Sequence, residues 1–159
     1  NNSGQLCTST FDNVAVIPGR TPFDVWSEEQ FTAAELLDPT ISGEMATPAG
    51  DGISNLMKYA LHLDPKVDGT DGLPIGGRMA TAGNEYPTLS YTQVISATDL
   101  LYASLVSSDM VTWHSGTTHL AVVSMTDNPD GVTQTVVVRS LDPISTSGRQ
   151  FIRLKVTKP

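Results

Sequence analysis

The sequence predicts an α+β fold in which a short helical hairpin packs on a small antiparallel β-sandwich. Residues 20–64 carry helix-start signals and apolar residues at helical spacing. Residues 66–159 instead carry short apolar runs separated by turn residues. Apolar residues make up 39% of the 159 residues and charged residues only 16%, which is typical of a β-rich extracellular module. A chain of this length supports one domain with a core that needs no disulfides.

The first helical segment begins at residues 21–24, Thr-Pro-Phe-Asp. This stretch combines a capping hydroxyl, a proline at the first helical position and an acid in the first turn. Thr32 and Glu35 have the spacing of a second capping box, which predicts that a helix restarts there. Asp38-Pro39 predicts the end of this segment, because the residue before a proline avoids helical geometry.

The second helical segment follows a loop predicted at 39–50. Asp51 or Ser54 can cap a helix over 53–63, and Asp64-Pro65 predicts its end. One face of this helix is apolar and consists of Ile53, Leu56, Met57, Ala60 and Leu63. We expect Tyr59, Ala60 and Leu63 to dock the helix on the sheet.

The C-terminal part predicts five strands. The last shows the clearest alternation, because Ile152, Leu154 and Val156 alternate with polar residues. Residues 128–131, Asn-Pro-Asp-Gly, predict a turn that joins two strands as a hairpin. The predicted strands are 86–95, 100–107, 119–126, 132–140 and 150–157. The predicted core is Trp26, Phe31, Leu36, Ile53, Leu56, Ala60, Leu89, Leu105, Val106, Val136, Val138, Ile152, Leu154 and Val156.

The chain is predicted to divide into three parts. Residues 1–19 form an N-terminal strand and linker. The helical segment 20–65 and the sandwich 66–159 follow, and these two parts form one compact module. Phe11, Val14 and Val16 predict a short strand over 10–17 that Pro18-Gly19 ends. Three interpretations stay open. The strand is donated to the sheet edge of another copy, folds back on its own sheet, or is the remnant of an upstream β-sandwich whose last strand resembles Phe11-Asp-Asn-Val-x-Val.

Residues 47–58 read as a degenerate calcium loop running into a helix. An EF-hand-type loop needs oxygen donors at positions 1, 3 and 5, glycine at 6 and a bidentate glutamate at 12. With Gly52 at position 6, Asp51 fits position 5. Ala49 at position 3 has no donor oxygen, and Lys58 puts a positive charge at position 12. We therefore expect no stabilising calcium site, whereas Thr47→Asp, Ala49→Asp and Lys58→Glu together should create one.

A set of short motifs is spread from about Phe23 to Pro159. They are Trp26 with Phe31, Gly50-Asp-Gly-Ile-Ser-Asn-Leu-Met-Lys-Tyr-Ala-Leu61, Leu63-Asp-Pro65, Gly72-Leu-Pro74, Ala97-Thr-Asp-Leu100, Val106-Ser-Ser-Asp109 running to Trp113, Asp130-Gly131 and Arg149-Gln-Phe-Ile-Arg-Leu-Lys-Val-Thr157. In their order and spacing the chain resembles the C-terminal module of secreted and surface proteins of Verrucomicrobia and related bacteria, with a degenerate dockerin-like loop and helix at 50–61. The resemblance implies an extracellular, non-catalytic module that is often attached to hydrolases or adhesins.

Charge and cysteine content narrow the range of partners. A net charge of −8 with scattered lysines and arginines argues against nucleic acid. No apolar run reaches the length of a membrane span. Cys7 is the only cysteine, so no internal disulfide forms; pairing between chains stays open.

The candidate reactive residues have simpler structural explanations. Asp51 and Asn55 offer too few oxygens for a hard cation. No strained Gly-x-Ser-x-Gly elbow is present, and the acids lie mostly in turns and caps. His114 and His119 flank a short loop and can face each other, without metal-ligand spacing. We therefore predict no catalytic, cofactor-binding or metal-binding residues, and no cofactor.

These observations predict a non-catalytic interaction or attachment module of a bacterial secreted or cell-surface protein. Its partner would be a protein, or another copy of itself, bound through a sheet edge. One alternative is a structural subunit of an extracellular filament that assembles by strand donation. The other is a carbohydrate-binding module, for which Trp113 and several tyrosines would have to lie exposed in a row. Trp26 lies on an apolar helical face and is expected in the core.

Overall fold

The computed structural model describes residues 19–159, apart from the side chain of Ser147. The predictions for Cys7 and for a strand over 10–17 lie outside the described residues. Within them, the fold is α+β and mostly β, with short helices packed on six antiparallel strands that form two sheets. The predicted fold class is confirmed.

Both predicted capping boxes are present. The helix α1 (Pro22–Gln30) begins where the Thr21 hydroxyl accepts from the Asp24 amide and the Asp24 carboxylate accepts from the Thr21 amide. Thr32 and Glu35 make the same reciprocal bonds at α2 (Ala33–Leu36). These local bonds satisfy amides that a helix start otherwise leaves unpaired.

The next segment differs from its prediction. Residues 39–50 were expected to be a loop, but they begin with α3 (Pro39–Ser42), because the Asp38 carboxylate accepts from the Thr40 amide at 2.9 Å. The helix α4 (Asn55–Leu61) is shorter than the predicted 53–63. Ser54 caps it, and it ends at His62 in the left-handed conformation, before Asp64-Pro65 is reached.

All five predicted strands are present to within two residues, and the turn at 128–131 joins two of them as a hairpin. Among residues 19–159, one sheet has four strands in the order β1-β2-β5-β4, and the other contains β3 and β6. The strands are β1 (Ile75–Thr81), β2 (Asn84–Val94), β3 (Leu101–Ser107), β4 (Leu120–Asp127), β5 (Thr133–Ser140) and β6 (Phe151–Thr157).

The sequence prediction missed β1 and the short helix α5 (Ile144–Ser147). Strand β1 is exposed along nearly all of its length and contains Gly76-Gly77. It has no buried face to impose an alternating apolar pattern, so the signal that reveals a half-buried strand is missing. Its pairing with β2 defines it instead.

The core consists of two clusters, and the partly buried Tyr102 packs against both. Leu105 was predicted to lie in the core, but it pairs with Arg153 on the outer face of the β3–β6 sheet and is only partly buried. Ile53 lies outside both clusters, and Leu36, Leu56, Ile152, Leu154 and Val156 pack at their margins. The other predicted core residues are buried: Trp26, Phe31, Ala60, Leu89, Val106, Val136 and Val138.

The helices α1 and α4 cover one end of the sandwich through aromatic contacts. The rings of Phe23 and Trp26 both lie 5.4 Å from that of Tyr59. Asp99 connects both helices to the sandwich, because its carboxylate accepts hydrogen bonds from the Phe23 amide and from the Tyr59 hydroxyl, each at 3.0 Å. Leu61 docks α4 on the inner face of the larger sheet, a role predicted for Leu63, which packs only at the margin.

Candidate functional site

The loop that resembles a calcium site encloses a buried ion pair. The Lys58 ammonium lies 2.6 Å from Asp51 Oδ2, and the side chains are 2% and 5% exposed. The ammonium also donates to the Val67 carbonyl at 2.7 Å. The Lys58 ammonium therefore supplies the positive charge inside this loop.

Neighbouring polar groups hold Asp51 ionised. The pKa of Asp51 lies below its ordinary value, mainly because the Lys58 ammonium donates a hydrogen bond to the carboxylate. The Ile53 amide donates to Oδ1 at 2.9 Å and lowers this pKa further. Asp51 does not cap α4, since Ser54 does. Asn55 is fully buried and donates to the carbonyls of Ile41 and Gly43, so it anchors the preceding loop.

The histidines that flank the 115–118 loop lie face to face. The rings of His114 and His119 stack with their centroids 4.6 Å apart. Among residues 19–159, no group of three or more His, Cys, Asp or Glu side chains is placed to hold a metal ion. His114 has a different structural role, because its backbone exchanges two hydrogen bonds of 2.9 Å with Val106 in β3.

Two of the aromatic residues considered for sugar stacking, Trp113 and Tyr86, have an arginine over the ring. Arg153 lies 3.8 Å from the ring centroid of Trp113, which is half-buried, and the Trp113 indole donates to the Met110 carbonyl. Arg139 covers Tyr86 in the same way, at 4.5 Å. Tyr91 and Tyr102 stack with each other between the sheets. Trp26 is in the core, as predicted.

One side of the sandwich is open, and this is the feature that we take as the candidate functional site. In β5, Val136 and Val138 point into the core and are buried. Their directly opposite partners in β4 are Met125 and Val122, which therefore point to the same inner face. Yet Val122 is 62% exposed and Met125 is 56% exposed. The smaller sheet does not reach far enough to cover them.

Val122 lines a groove of about 610 Å³ between β3 and β4, and Met125 lies further along the same face of β4. Val138 and the stacked pair Tyr91 and Tyr102 line its interior, and the 115–117 loop closes one end. The Tyr102 hydroxyl donates to the Ala60 carbonyl at 2.9 Å. Burial raises the pKa of both tyrosines, so their hydroxyls stay protonated across the physiological range. The groove is therefore neutral and mostly apolar.

The free edge of β3 runs along this groove. Val106 directs both its N–H and its C=O away from β6 and toward His114. Because these directions alternate along an antiparallel strand, Ser104 and Tyr102 also direct their N–H and C=O groups to that edge. In the described part of the chain, no strand pairs with this edge beyond the bridge at His114. Strand β4 is interrupted by a bulge at Val123, so its free edge is less suited than that of β3 to pair with an added strand.

No protein-family model, curated protein or solved structure matches this chain. No helix among residues 19–159 is long and apolar enough to cross a membrane. Function is therefore inferred from the geometry of the chain itself.

Sequence reasoning missed the groove. The apolar residues of β4 are visible in the sequence, but whether a second sheet covers them depends on strand order. The Asp51–Lys58 pair carried a detectable signal, because a lysine at a position that favours a carboxylate predicts an internal counter-ion for the loop acid.

Proposed function

We propose that this chain is a non-catalytic interaction module that binds a protein partner through the open side of its sandwich. The observation that carries the proposal is the exposure of Val122 and Met125 on an inner sheet face, where Val122 lines the groove that borders the free edge of β3. An added strand can satisfy both features at once. Its backbone would pair with β3, and its alternate side chains would cover β4.

The kind of partner follows from the chemistry of the site. The groove has an apolar floor, and no strand of residues 19–159 pairs with the outward backbone groups of Tyr102 and Ser104 at its edge. This combination favours an extended peptide with alternating apolar residues, since main-chain bonds supply affinity and the inward side chains supply specificity. Charged ligands have no complementary group among the residues that line the groove.

Three aspartates of the described segment have structural roles that fit a non-catalytic module. Asp24, Asp109 and Asp130 accept hydrogen bonds from nearby backbone amides, and these bonds lower their pKa values. A general acid that works near neutral pH needs a raised pKa instead. These carboxylates hold caps and turns in place.

We further propose that the module belongs to a secreted or cell-surface protein. The support comes from its composition, rich in Ser, Thr and Gly, and from the resemblance of residues 50–61 and the other matching pieces to the Verrucomicrobia module. An attachment role suits a small acidic domain that exposes apolar side chains on an inner sheet face.

Peptide display tests the proposed interaction. The full chain should select extended peptides with alternating apolar residues. Their affinity should fall at least tenfold in Val122→Asp/Met125→Asp, because the inserted charges would be covered by the bound strand. The matched control is Met110→Asp/Val111→Asp, a similarly exposed Met and Val pair outside the groove, which should bind normally. If no such peptides are selected, or if both variants bind equally, the proposed site is wrong.

The groove also gives specific support to the filament alternative, because a strand donated by another copy would fit the same edge. The carbohydrate-binding alternative has less support, since an arginine lies over one face of Trp113 and another over one face of Tyr86. Binding on a glycan array that is lost in Trp113→Ala would favour it over the proposed function.

A further inference from the structure

We propose that the free edge of β1 is a second interaction surface, which binds an extended acidic segment of a partner protein. The segment extends the larger sheet by one strand and places a carboxylate between Arg78 and Arg149. This inference does not rest on the groove between β3 and β4, because β1 and β4 lie at opposite ends of the larger sheet.

The turn between β1 and β2 fixes which backbone groups reach the free edge. Thr81 pairs with Asn84 across the two-residue loop Ala82-Gly83, whose φ angles are both positive, at 50° and 78°. Such a loop closes on a hydrogen-bonded pair, so Thr81 directs its N–H and C=O toward β2. Because these directions alternate along a strand, every second residue faces outward. The outward residues are Gly76, Arg78 and Ala80, and no strand among residues 19–159 pairs with them.

The inner face of this edge has room for a side chain from an added strand. A pocket of about 500 Å³ lies there, lined in part by Gly76, Arg78 and Arg149. A Cβ added at Gly76 would have no atom within 4 Å, so the space above this glycine is open. Residues that lie opposite each other in paired strands share a face. The peptide residue opposite Gly76 therefore directs its side chain into the pocket.

The charges of the pocket favour a carboxylate in that place. No acid among residues 19–159 lines it. Arg78 lies 3.5 Å from Glu85, but both side chains are more than half exposed, so this pair contributes little and leaves Arg78 available. The ion pairs of the described segment do not include Arg149. Two arginines thus meet here in a chain whose net charge is −8. Planar guanidinium groups match the geometry of a carboxylate.

The other face of β1 is apolar. Ile75, which is 70% exposed, and the half-buried Met79 lie on it. The segment that fits this edge therefore alternates acidic residues on the inner face with apolar residues on the outer face. A second copy of the chain fits poorly, since antiparallel pairing of two β1 edges would bring Arg78 of both copies together near the two-fold axis.

Peptide binding to the full chain, followed by fluorescence anisotropy, tests the charge requirement. A labelled peptide of about ten residues in which Glu and Val alternate should bind at least tenfold more tightly than one in which Gln and Val alternate. Arg78→Gln/Arg149→Gln should lower the affinity for the acidic peptide at least tenfold. The matched control is Arg20→Gln/Lys155→Gln, which removes one exposed cation paired with a glutamate and one exposed cation without an ion pair. It should bind normally, although its net charge changes equally.

A proline substitution tests the backbone pairing. Gly76→Pro removes an outward N–H but no hydrogen bond to β2, and an edge strand tolerates proline in that orientation. It should lower the affinity for the acidic peptide at least tenfold, whereas Gly19→Pro, outside the sheet, should not. Circular dichroism should show equal melting temperatures for the two proline variants.

The outcomes separate this inference from the proposed function. Equal binding of the two peptides, or equal losses in the two double variants, would mean that β1 has no carboxylate site. Normal binding to Gly76→Pro would mean that the peptide does not pair with β1. Dimers in light scattering that Gly76→Pro abolishes would assign the edge to a second copy, against the inference. Val122→Asp/Met125→Asp should bind the acidic peptide normally; if that variant alone loses binding, the peptide uses the groove, so the inference is wrong and the proposed function stands.

Discussion

At the residue scale, the Lys58 ammonium supplies the positive charge inside the 47–58 loop and helix. This ammonium reaches Asp51 from the helix that follows the loop, and it also binds the Val67 carbonyl, so it joins α4 to the loops on either side. Both partners are almost fully buried, and a buried charge is stable only when it is paired. The pair therefore matters more for holding the loop than an exposed pair of the same length would.

Substitution of Lys58 tests how much the buried ion pair with Asp51 stabilises the fold. Lys58→Met keeps an unbranched side chain but leaves the Asp51 carboxylate buried without its counter-ion, so the melting temperature should fall by more than about 5 °C. Lys66→Met is the matched control, because Lys66 is paired with Glu35 at 2.7 Å but is partly exposed. It should change the melting temperature by no more than about 2 °C.

The double variant Asp51→Leu/Lys58→Met should be less destabilised than the sum of its two single variants, because no unpaired charge remains. Equal effects of Lys58→Met and Lys66→Met in thermal unfolding followed by circular dichroism would show that the buried pair has no special role.

At the element scale, aspartates organise the turns between strands. Asp109 follows β3 and accepts from the amides of Val111 and Thr112, each at 2.8 Å. Asp130, in the turn between β4 and β5, accepts from the amides of Val132 and Thr133 and from the Thr133 hydroxyl. Each carboxylate accepts hydrogen bonds from turn amides, in place of the carbonyl acceptors that a tight turn cannot provide. The stability of β3, β4 and β5 therefore depends on these two aspartates being ionised.

This dependence predicts a loss of stability in acid. Hydrogen bonds to the Thr112 and Val111 amides lower the pKa of Asp109 to about 2, and bonds from Thr133 lower that of Asp130 to about 2. Because the folded-state values lie below the ordinary value of 3.8, the ionised forms stabilise the fold. That contribution is complete above about pH 5 and is lost as the pH falls to about 2.

Urea unfolding between pH 7 and pH 2 measures the effect. The midpoint should fall most steeply below about pH 4, and Asp109→Asn/Asp130→Asn should have a lower midpoint at pH 7 but a shallower decline in acid. Asp71→Asn changes an exposed aspartate elsewhere and should follow the unsubstituted chain. Parallel pH profiles for all three proteins would refute the role of the turn carboxylates.

At the scale of the whole molecule, the two core clusters belong to one cooperative unit. Tyr102 packs against both clusters and bonds α4 through the Ala60 carbonyl. Asp99 links α1 and α4 to the start of β3. Because these contacts join helices to both sheets, the described segment should unfold in a single transition.

Leu61→Ala should lower the free energy of unfolding by about 2–5 kcal/mol, because Leu61 is buried between α4 and the larger sheet. Leu37→Ala is the control, since Leu37 is exposed, and it should have an effect of less than about 0.5 kcal/mol. Trp26 fluorescence, measured in a Trp113→Phe background, reports the helical end, and far-UV circular dichroism reports the sheets. Both probes should shift together in Leu61→Ala; separate transitions would mean that the helices and the sandwich unfold independently.

Local signals in the sequence determined most of the elements of this chain. The capping boxes at Thr21 and Thr32, the turn at 128–131 and the alternation of β6 depend on neighbouring residues, so they could be predicted without the fold. Strand β1 could not be predicted, because pairing with β2 and not its own pattern makes it a strand.

Burial and the site were decided only by the tertiary structure. Leu105 and Val122 have the apolar character of core residues, yet Leu105 lies on an outer face and Val122 lies beside an open groove. Their environments depend on strand order and on the width of the facing sheet, which no local pattern encodes. The sequence alone therefore determined that the chain forms a helical segment and an antiparallel sandwich. In the described part of the chain the smaller sheet is two strands wide, and this width decided which apolar residues are left open, because hydrophobic burial depends on what lies opposite in space.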